Sequence, residues 1–458
     1  MKTILEKALK DISESIGRAP QVALLGFGAT NRALLDILLD VENIDITVRH
    51  SRLGNEILPK RVTVVSSEGA LDGICEDVLF PSPSIRRERL AIPSCSRVIT
   101  DYSLLFDTTP ERLFTVSGSD GKSTTVAMAA ELLSPTFPDI FTGGNIGTPL
   151  WQADATASAF LLELSSFTLR YSLPRGGRAL ITNITPNHLD WHSDLKEYED
   201  TKLSLIKAAS EPILNLDDST SERAARELRT FCLISATRTS GEIFQKYNTA
   251  HTVTVEGGVI AIDGEALLTV KDIKHREKHN LYNLASAIAL SIGYTDTERI
   301  RAVAGSFTAL SQRCERFTVG GISFISSSID TTPLRTRTTL SGLDERVRLI
   351  LGGKGKGLSL DPLRDALVKY ADKIAIYGEI SREMTDFIES DEDTRMIPHR
   401  SFRKLSDAIA YVIDGANEGD TVLLSPAATS YGEFTDYAER GRFFKSYALQ
   451  LVEGQNRK

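Results

Sequence analysis

The sequence predicts an α/β fold in three domains: a Rossmann-like N-terminal domain (1–109), a central P-loop-type ATPase sheet (110–305) and a Rossmann-like C-terminal domain (306–458). Three observations carry this expectation. The chain has 458 residues, enough for three domains of roughly 150 residues each. Short apolar runs that end in glycine turns and lead into helical stretches recur in each third, which is the alternation of a parallel sheet. One of those turns, Gly118-Ser-Asp-Gly121, ends in Lys122-Ser123 and opens a helix, so backbone N–H groups, a helix N-terminus and an ammonium converge as a phosphate requires.

Composition narrows the class of partner. The formal net charge is -8, which leaves no global basic field for nucleic acid or an anionic membrane. Cys75, Cys95, Cys232 and Cys314 contain no C-x-x-C pair, so neither a zinc cage nor a disulfide framework is indicated. No signal peptide is recognisable, and no apolar run approaches the ~18 residues of a membrane span. A cytoplasmic monomer is expected.

Taken in order, Leu5, Leu9, Ile12 and Ile16 mark an amphipathic leading helix. Gln21-Val-Ala-Leu-Leu-Gly-Phe-Gly28 is a strand entering a glycine turn, Asn31–Leu39 a helix and Ile44–Arg49 a second strand. Gly26 and Gly28 supply two fingerprint glycines of a dinucleotide site, but the third position is Asn31, and Arg49-His50-Ser51-Arg52 stands where a nicotinamide enzyme offers an acid. A strand after Asp77 ends in the stiff loop Ser82-Pro-Ser84, and Arg86-Arg87-Glu88-Arg89 is read as a solvated helix face.

Arg112–Ser117 is the buried strand before the phosphate loop, and Ser123–Leu133 the helix after it. A P-loop of the G-x-x-x-x-G-K-[ST] form would need glycine at Val116, so this is a shorter loop. Ala159–Phe167 is a strand carrying one carboxylate, Glu163, toward the end where such sheets bind ligands. Ala179–Pro186 is another strand, opening into His188 and Asp190. Tyr198–Ile206 is helical, with Lys202 one turn beyond Tyr198, and residues 220–275 suggest strands joined by Gly257-Gly258. Lys278–Leu290 is a small-residue helix with Asn280 and Asn283 in its first turn. The last third repeats the pattern at Arg348–Leu351, Lys373–Tyr377 and Thr421–Leu424, each ending in glycine, lysine or hydroxyl groups.

In this order the motifs resemble the Mur ligases, ATP-dependent amide-forming enzymes of peptidoglycan precursor synthesis. They are Gly118–Thr124, Gly143-Gly-Asn-Ile-Gly147, Glu163-Leu-Ser-Ser-Phe167, Asn183–Asp190, Tyr198 with Lys202, His279–Asn283, Leu310 with Arg313 and Glu315, Leu351-Gly-Gly with Lys356, and Leu424–Ala427. The likeness runs from about Val22 to Phe444 and is greatest to the branch that joins D-glutamate to UDP-N-acetylmuramoyl-L-alanine.

The resemblance implies roles. Gly118, Ser119, Asp120, Gly121, Lys122, Ser123 and Thr124 would hold ATP phosphates, with Ser123 and Glu163 on one Mg2+. His188 and Lys202, the latter carbamylated, would hold a second Mg2+. Asn280, Asn283 and Arg313 would complete the ATP site. Thr30, Ser51, Arg52, Ser82, Ser84 and Asn145 would take the uridine-linked substrate, and Thr331, Lys356, Ser430 and Tyr437 the amino acid. Asp120 replaces the family's asparagine, Ser327 its aspartate, and Ile329 the lysine expected near the incoming amino acid. Another amino acid, a folylpolyglutamate-type substrate, or a non-catalytic nucleotide-binding role are the alternatives.

Overall fold

A computed structural model of the chain describes residues 1–50, 58–106, 112–145, 148–186, 191–274, 276, 278–307, 314–343, 345–355 and 357–455. Ser51, Arg52, His188, Arg313 and Lys356 lie outside the described residues. The chain divides into two units, Met1–Phe307 and Thr308–Lys458. Among the described residues the strands form three sheets, two of them in the first unit.

The N-terminal sheet runs Val62–Ser66, Asp45–His50, Gln21–Leu25, Val78–Pro81, Arg97–Val98, all parallel. Its central strands are buried on both faces, hence their unbroken apolar runs. Asn31, at the odd third fingerprint position, is buried, and its Nδ2 donates to the carbonyls of Leu25 at 3.2 Å, Gly26 at 2.7 Å and Phe80 at 3.1 Å. It therefore staples the glycine turn to the sheet. The leading helix Lys2–Ile16 buries Leu5, Leu9 and Ile12. Ile16, expected on the same face, is 38% exposed because the helix ends there, at Gly17.

The second sheet has nine strands, in the order Glu265–Thr269, Val259–Ile262, Thr249–Glu256, Thr230–Ser235, Glu211–Asn215, Arg178–Ile181, Leu113–Ser117, Phe160–Glu163, Phe141–Gly144. All neighbours are parallel except the hairpin on either side of Val259–Ile262. The strand expected over 159–167 stops at Glu163, because Ser165 caps a helix, Ser166–Tyr171, by accepting the Thr168 N–H. The strand expected to reach Pro186 likewise stops at Ile181.

In the second unit a six-stranded sheet runs Glu315–Val319, Ile322–Ser326, Thr421–Leu424, Val347–Gly352, Ala371–Tyr377, His399–Phe402, parallel but for its first pair.

Candidate active site

The strand Leu113–Ser117 delivers the phosphate loop at its carboxyl end, and the helix Lys122–Leu133 leaves from it. Both loop glycines have positive φ, 141° at Gly118 and 81° at Gly121. A Cβ would lie 2.0 Å from Thr182 Oγ1 and 3.1 Å from backbone atoms at Gly118, and 2.3 Å from Asn283 Oδ1 at Gly121, so any side chain is strained at both places. Asp120 is exposed, and its backbone fixes the turn: its N–H goes to Asn183 Oδ1 at 3.0 Å, and its carbonyl accepts from Thr182 Oγ1 at 2.6 Å. The Asp120 carboxylate thus faces solvent, where water and salt screen its charge.

Two lysines meet on one oxygen. Lys122 Nζ donates to the carbonyls of Gly118 at 3.0 Å and Ser119 at 2.8 Å. Lys202 Nζ, carried by the helix Leu195–Ala208, donates to the same Gly118 carbonyl at 2.8 Å. Lys202 is 2% exposed. Burial, and next the Lys122 charge, hold its pKa well below the ordinary lysine value, against the pull of Glu163 and Asp120. Burial therefore favours the neutral amine over the ammonium.

Glu163 is aligned with Val116 on the adjacent strand and is 1% exposed. Its Oε1 accepts from Asn145 Nδ2 at 3.1 Å, while its buried Oε2 has no hydrogen-bond partner among the described residues. A carboxylate oxygen left bare in the interior is costly unless a cation meets it. With the buried Ser123 hydroxyl in the first turn of the loop helix, the donor set is all oxygen and suits Mg2+.

Other expected residues fall as follows. Thr124 is buried in the first turn of the loop helix. Asn283 packs on Gly121 and lies 3.5 Å from Asn280 Oδ1. Ser119 is turned inward, its Oγ 2.8 Å from the Thr185 carbonyl and 2.7 Å from the Tyr198 oxygen. Thr30 is in the first turn of the helix Ala29–Leu38. Ser82 N–H bonds the Leu25 carbonyl at 2.7 Å, and Ser82 and Ser84 hydroxyls are 2.9 Å apart. The basic run forms a 3-10 turn, Arg87–Arg89, with the Arg86 guanidinium 5.8 Å from the Trp191 ring. In the second unit Ser430 is buried, Thr331 N–H turns back to the Ile329 carbonyl at 2.8 Å, and the Tyr437 carbonyl accepts from Ser328 Oγ at 2.7 Å.

Sequence reasoning missed several groups. Arg49 is buried in an ion pair, its Nε 2.8 Å from Glu76 Oε1. Arg440 is fully buried on neutral acceptors, among them Ser328 O at 2.7 Å and Ala428 O at 3.1 Å. Neither stands in a pattern that marks burial; only the fold brings their partners near.

Residues 116–291, which contain the loop, Glu163 and Lys202, match the Mur ligase middle domain. By this stretch the chain is similar to the Mur ligases. A Mur ligase relative from Clostridium novyi (strain NT), a UDP-N-acetylmuramoylalanine--D-glutamate ligase, is 28% identical over 98% of this chain and 100% of its own. A similar enzyme from Clostridium botulinum (strain Hall) is 29% identical over 94% and 97%. Among solved structures, the MurF ligase from Thermotoga maritima in complex with ADP shares the fold with a TM-score of 0.52 at 14% identity, covering 96% of each chain. The domain match and these ligase-named relatives mark the chain as a ligase.

Proposed function

We propose that the chain is an ADP-forming ligase that joins D-glutamate to UDP-N-acetylmuramoyl-L-alanine through an acyl phosphate, in peptidoglycan precursor synthesis in the cytoplasm. The observation that carries this reading is the meeting of Lys122 and Lys202 on the Gly118 carbonyl, with the half-bare Glu163 carboxylate on the strand beside the one that delivers the loop. Relatives bearing that activity in their names align over nearly the whole chain. On this reading the three sheets serve substrate, nucleotide and amino acid in turn, over 1–109, 110–305 and 306–458, and the chain acts as a monomer.

When bound, Mg2+ and ATP supply the phosphoryl group and neutralise its charge. The protein's part is positioning. The loop-helix N-terminus receives phosphate oxygens. Lys122, which now rests on two loop carbonyls, exchanges them for phosphate. Ser123 and Glu163 offer oxygen ligands, and Lys202 as a neutral amine adds to carbon dioxide, releasing a proton, to become a carboxylate-like ligand beside His188. Asn280, Asn283 and Arg313 complete the nucleotide's surroundings. Thr30, Ser51, Arg52, Ser82, Ser84 and Asn145 hold the uridine-linked substrate, and Thr331, Lys356, Ser430 and Tyr437 the amino acid.

A second reading, a different amino acid on the same scaffold, is favoured by Ile329 and by the buried Ser327, which remove a cation and an acid from the expected set. One assay separates the two. Phosphate release is measured with ATP, Mg2+, UDP-N-acetylmuramoyl-L-alanine and a panel of amino acids. Strict dependence on D-glutamate supports the first reading, dependence on another amino acid the second, and no turnover with any of them defeats both.

A further inference from the structure

The proposed chemistry has no use for the phenol of Tyr198, yet this side chain is 1% exposed and its oxygen lies 2.7 Å from Ser119 Oγ in the phosphate loop. Ser119 Oγ also accepts the Thr185 N–H at 2.9 Å and lies 2.8 Å from the Thr185 carbonyl. A hydroxyl has one proton and two lone pairs. Its proton goes to the Thr185 carbonyl, one lone pair to the Thr185 N–H, and the other to the Tyr198 O–H, so the Ser119 side chain is saturated. Its backbone N–H is likewise given to the Asn183 carbonyl at 2.8 Å. Ser119 therefore faces the protein rather than a phosphate, and serves as the loop's anchor.

The anchor's outer end is Tyr198. Tyr198 and Lys202 stand one turn apart on the same helix face, and they reach consecutive loop residues, Ser119 and Gly118. The ring is held edge-on to His192, centroids 5.2 Å apart, and His192 Nε2 is 2.9 Å from Ser166 Oγ. The Lys202 ammonium lies 4.9 Å from the ring centroid. The ring thus has a fixed place, and among the described residues its hydroxyl meets Ser119 outside the helix.

We propose that Tyr198 is a positioning residue for the nucleotide: through Ser119 it holds the phosphate loop in the shape that receives ADP and ATP. The inference rests on the nucleotide reading above. Without the phenol hydroxyl, one Ser119 lone pair is unmet in the interior and the loop gains alternative shapes. Apparent affinity then falls by the fraction of molecules that keep the receiving shape.

Tyr198→Phe keeps the ring against Lys202 and His192 and removes only the hydroxyl. Calorimetric titration of the full chain with Mg-ADP would compare wild type, Tyr198→Phe, Ser119→Ala and the double variant, alongside steady-state kinetics in ATP. We expect each single variant to bind ADP about fivefold to tenfold more weakly, in line with one lost buried hydrogen bond. KM for ATP should rise by a similar factor with a smaller change in kcat, and the double variant should be no worse than either single one. Wild-type ADP affinity in Tyr198→Phe, losses that multiply in the double variant, or a defect confined to kcat would each overturn the proposal. If Tyr198→Phe does not fold, Ser119→Ala tests the bond from its other end with the same expected loss. Wild-type protein that binds no ADP would instead remove the nucleotide reading, and the proposal with it.

Discussion

Glu163 illustrates how one side chain can be legible by type and illegible by environment. Its place late in an apolar run marked it as a ligand-end carboxylate, but that one oxygen is held by Asn145 and the other left bare emerges only in three dimensions. Glu163→Gln preserves shape and removes the charge, so phosphate release should fall about a hundredfold or more, as when a preorganised charge contact is lost. ADP affinity in the absence of metal should barely change; a parallel loss there would assign Glu163 to folding. Lys202, taken alone, reads as a surface lysine and gains a role only through the family resemblance, yet it is buried. What lowers its pKa, burial first and then a second ammonium on the same Gly118 carbonyl, could not be read from residues 80 positions apart in sequence. Lys202→Ala should be inactive and should recover part of its activity in short carboxylates such as acetate or propionate. No recovery across that series would count against a carbamate. Ser119 went the other way: its position in the loop suggested a phosphate contact, and its hydrogen bonds turn it inward.

At the level of elements, strand and helix types followed from period and punctuation, while ends were displaced wherever a side chain competed with the backbone. Ser165 ends the Glu163 strand early because its hydroxyl caps the next helix. The loop glycines set a stricter requirement. Gly121→Ala places a methyl against Asn283 in a left-handed backbone and should lower stability by about 2 kcal/mol or more. Adding Asn283→Ala should restore part of this, because it removes the clash and leaves the strain. Denaturant midpoints of the two variants decide it, and equal midpoints would show that crowding is not the cause. The short helix Asp101–Phe106 begins with a buried acid that accepts the Tyr102 N–H at 2.9 Å. Burial pushes the Asp101 carboxyl up to about 7 from 3.8. The folded protein therefore keeps a proton that the unfolded chain releases, so this stabilisation is complete below pH ~4 and is lost as pH rises toward about 7. Asp101→Asn lacks the titration, so its stability relative to wild type should improve as pH rises from 5 to 7 in urea melts. Parallel curves for the two proteins would exclude it.

For the whole molecule, the α/β alternation was legible because buried parallel strands leave unbroken apolar runs and their ligand ends collect glycine. The contacts that tie its parts together were less so. Two sheets share the first unit, and cross-links such as Tyr171 O–H to the Ile85 carbonyl at 2.7 Å and Trp191 Nε1 to the Ser84 carbonyl at 3.0 Å join residues that no local pattern connects. The antiparallel hairpin Thr249–Ile262 was expected from its Gly257-Gly258 turn, but not that it would extend the phosphate-loop sheet toward one edge. Three strands separate Thr249–Glu256 from Leu113–Ser117, a span of about 19 Å at the usual strand spacing. The turn has open space around Gly257. That makes it a handle: a fluorescent peptide or an immobilisation tag spliced between Gly257 and Gly258 should leave Mg-ADP affinity at its wild-type value, giving a reporter anchored to the same sheet as the nucleotide yet clear of it.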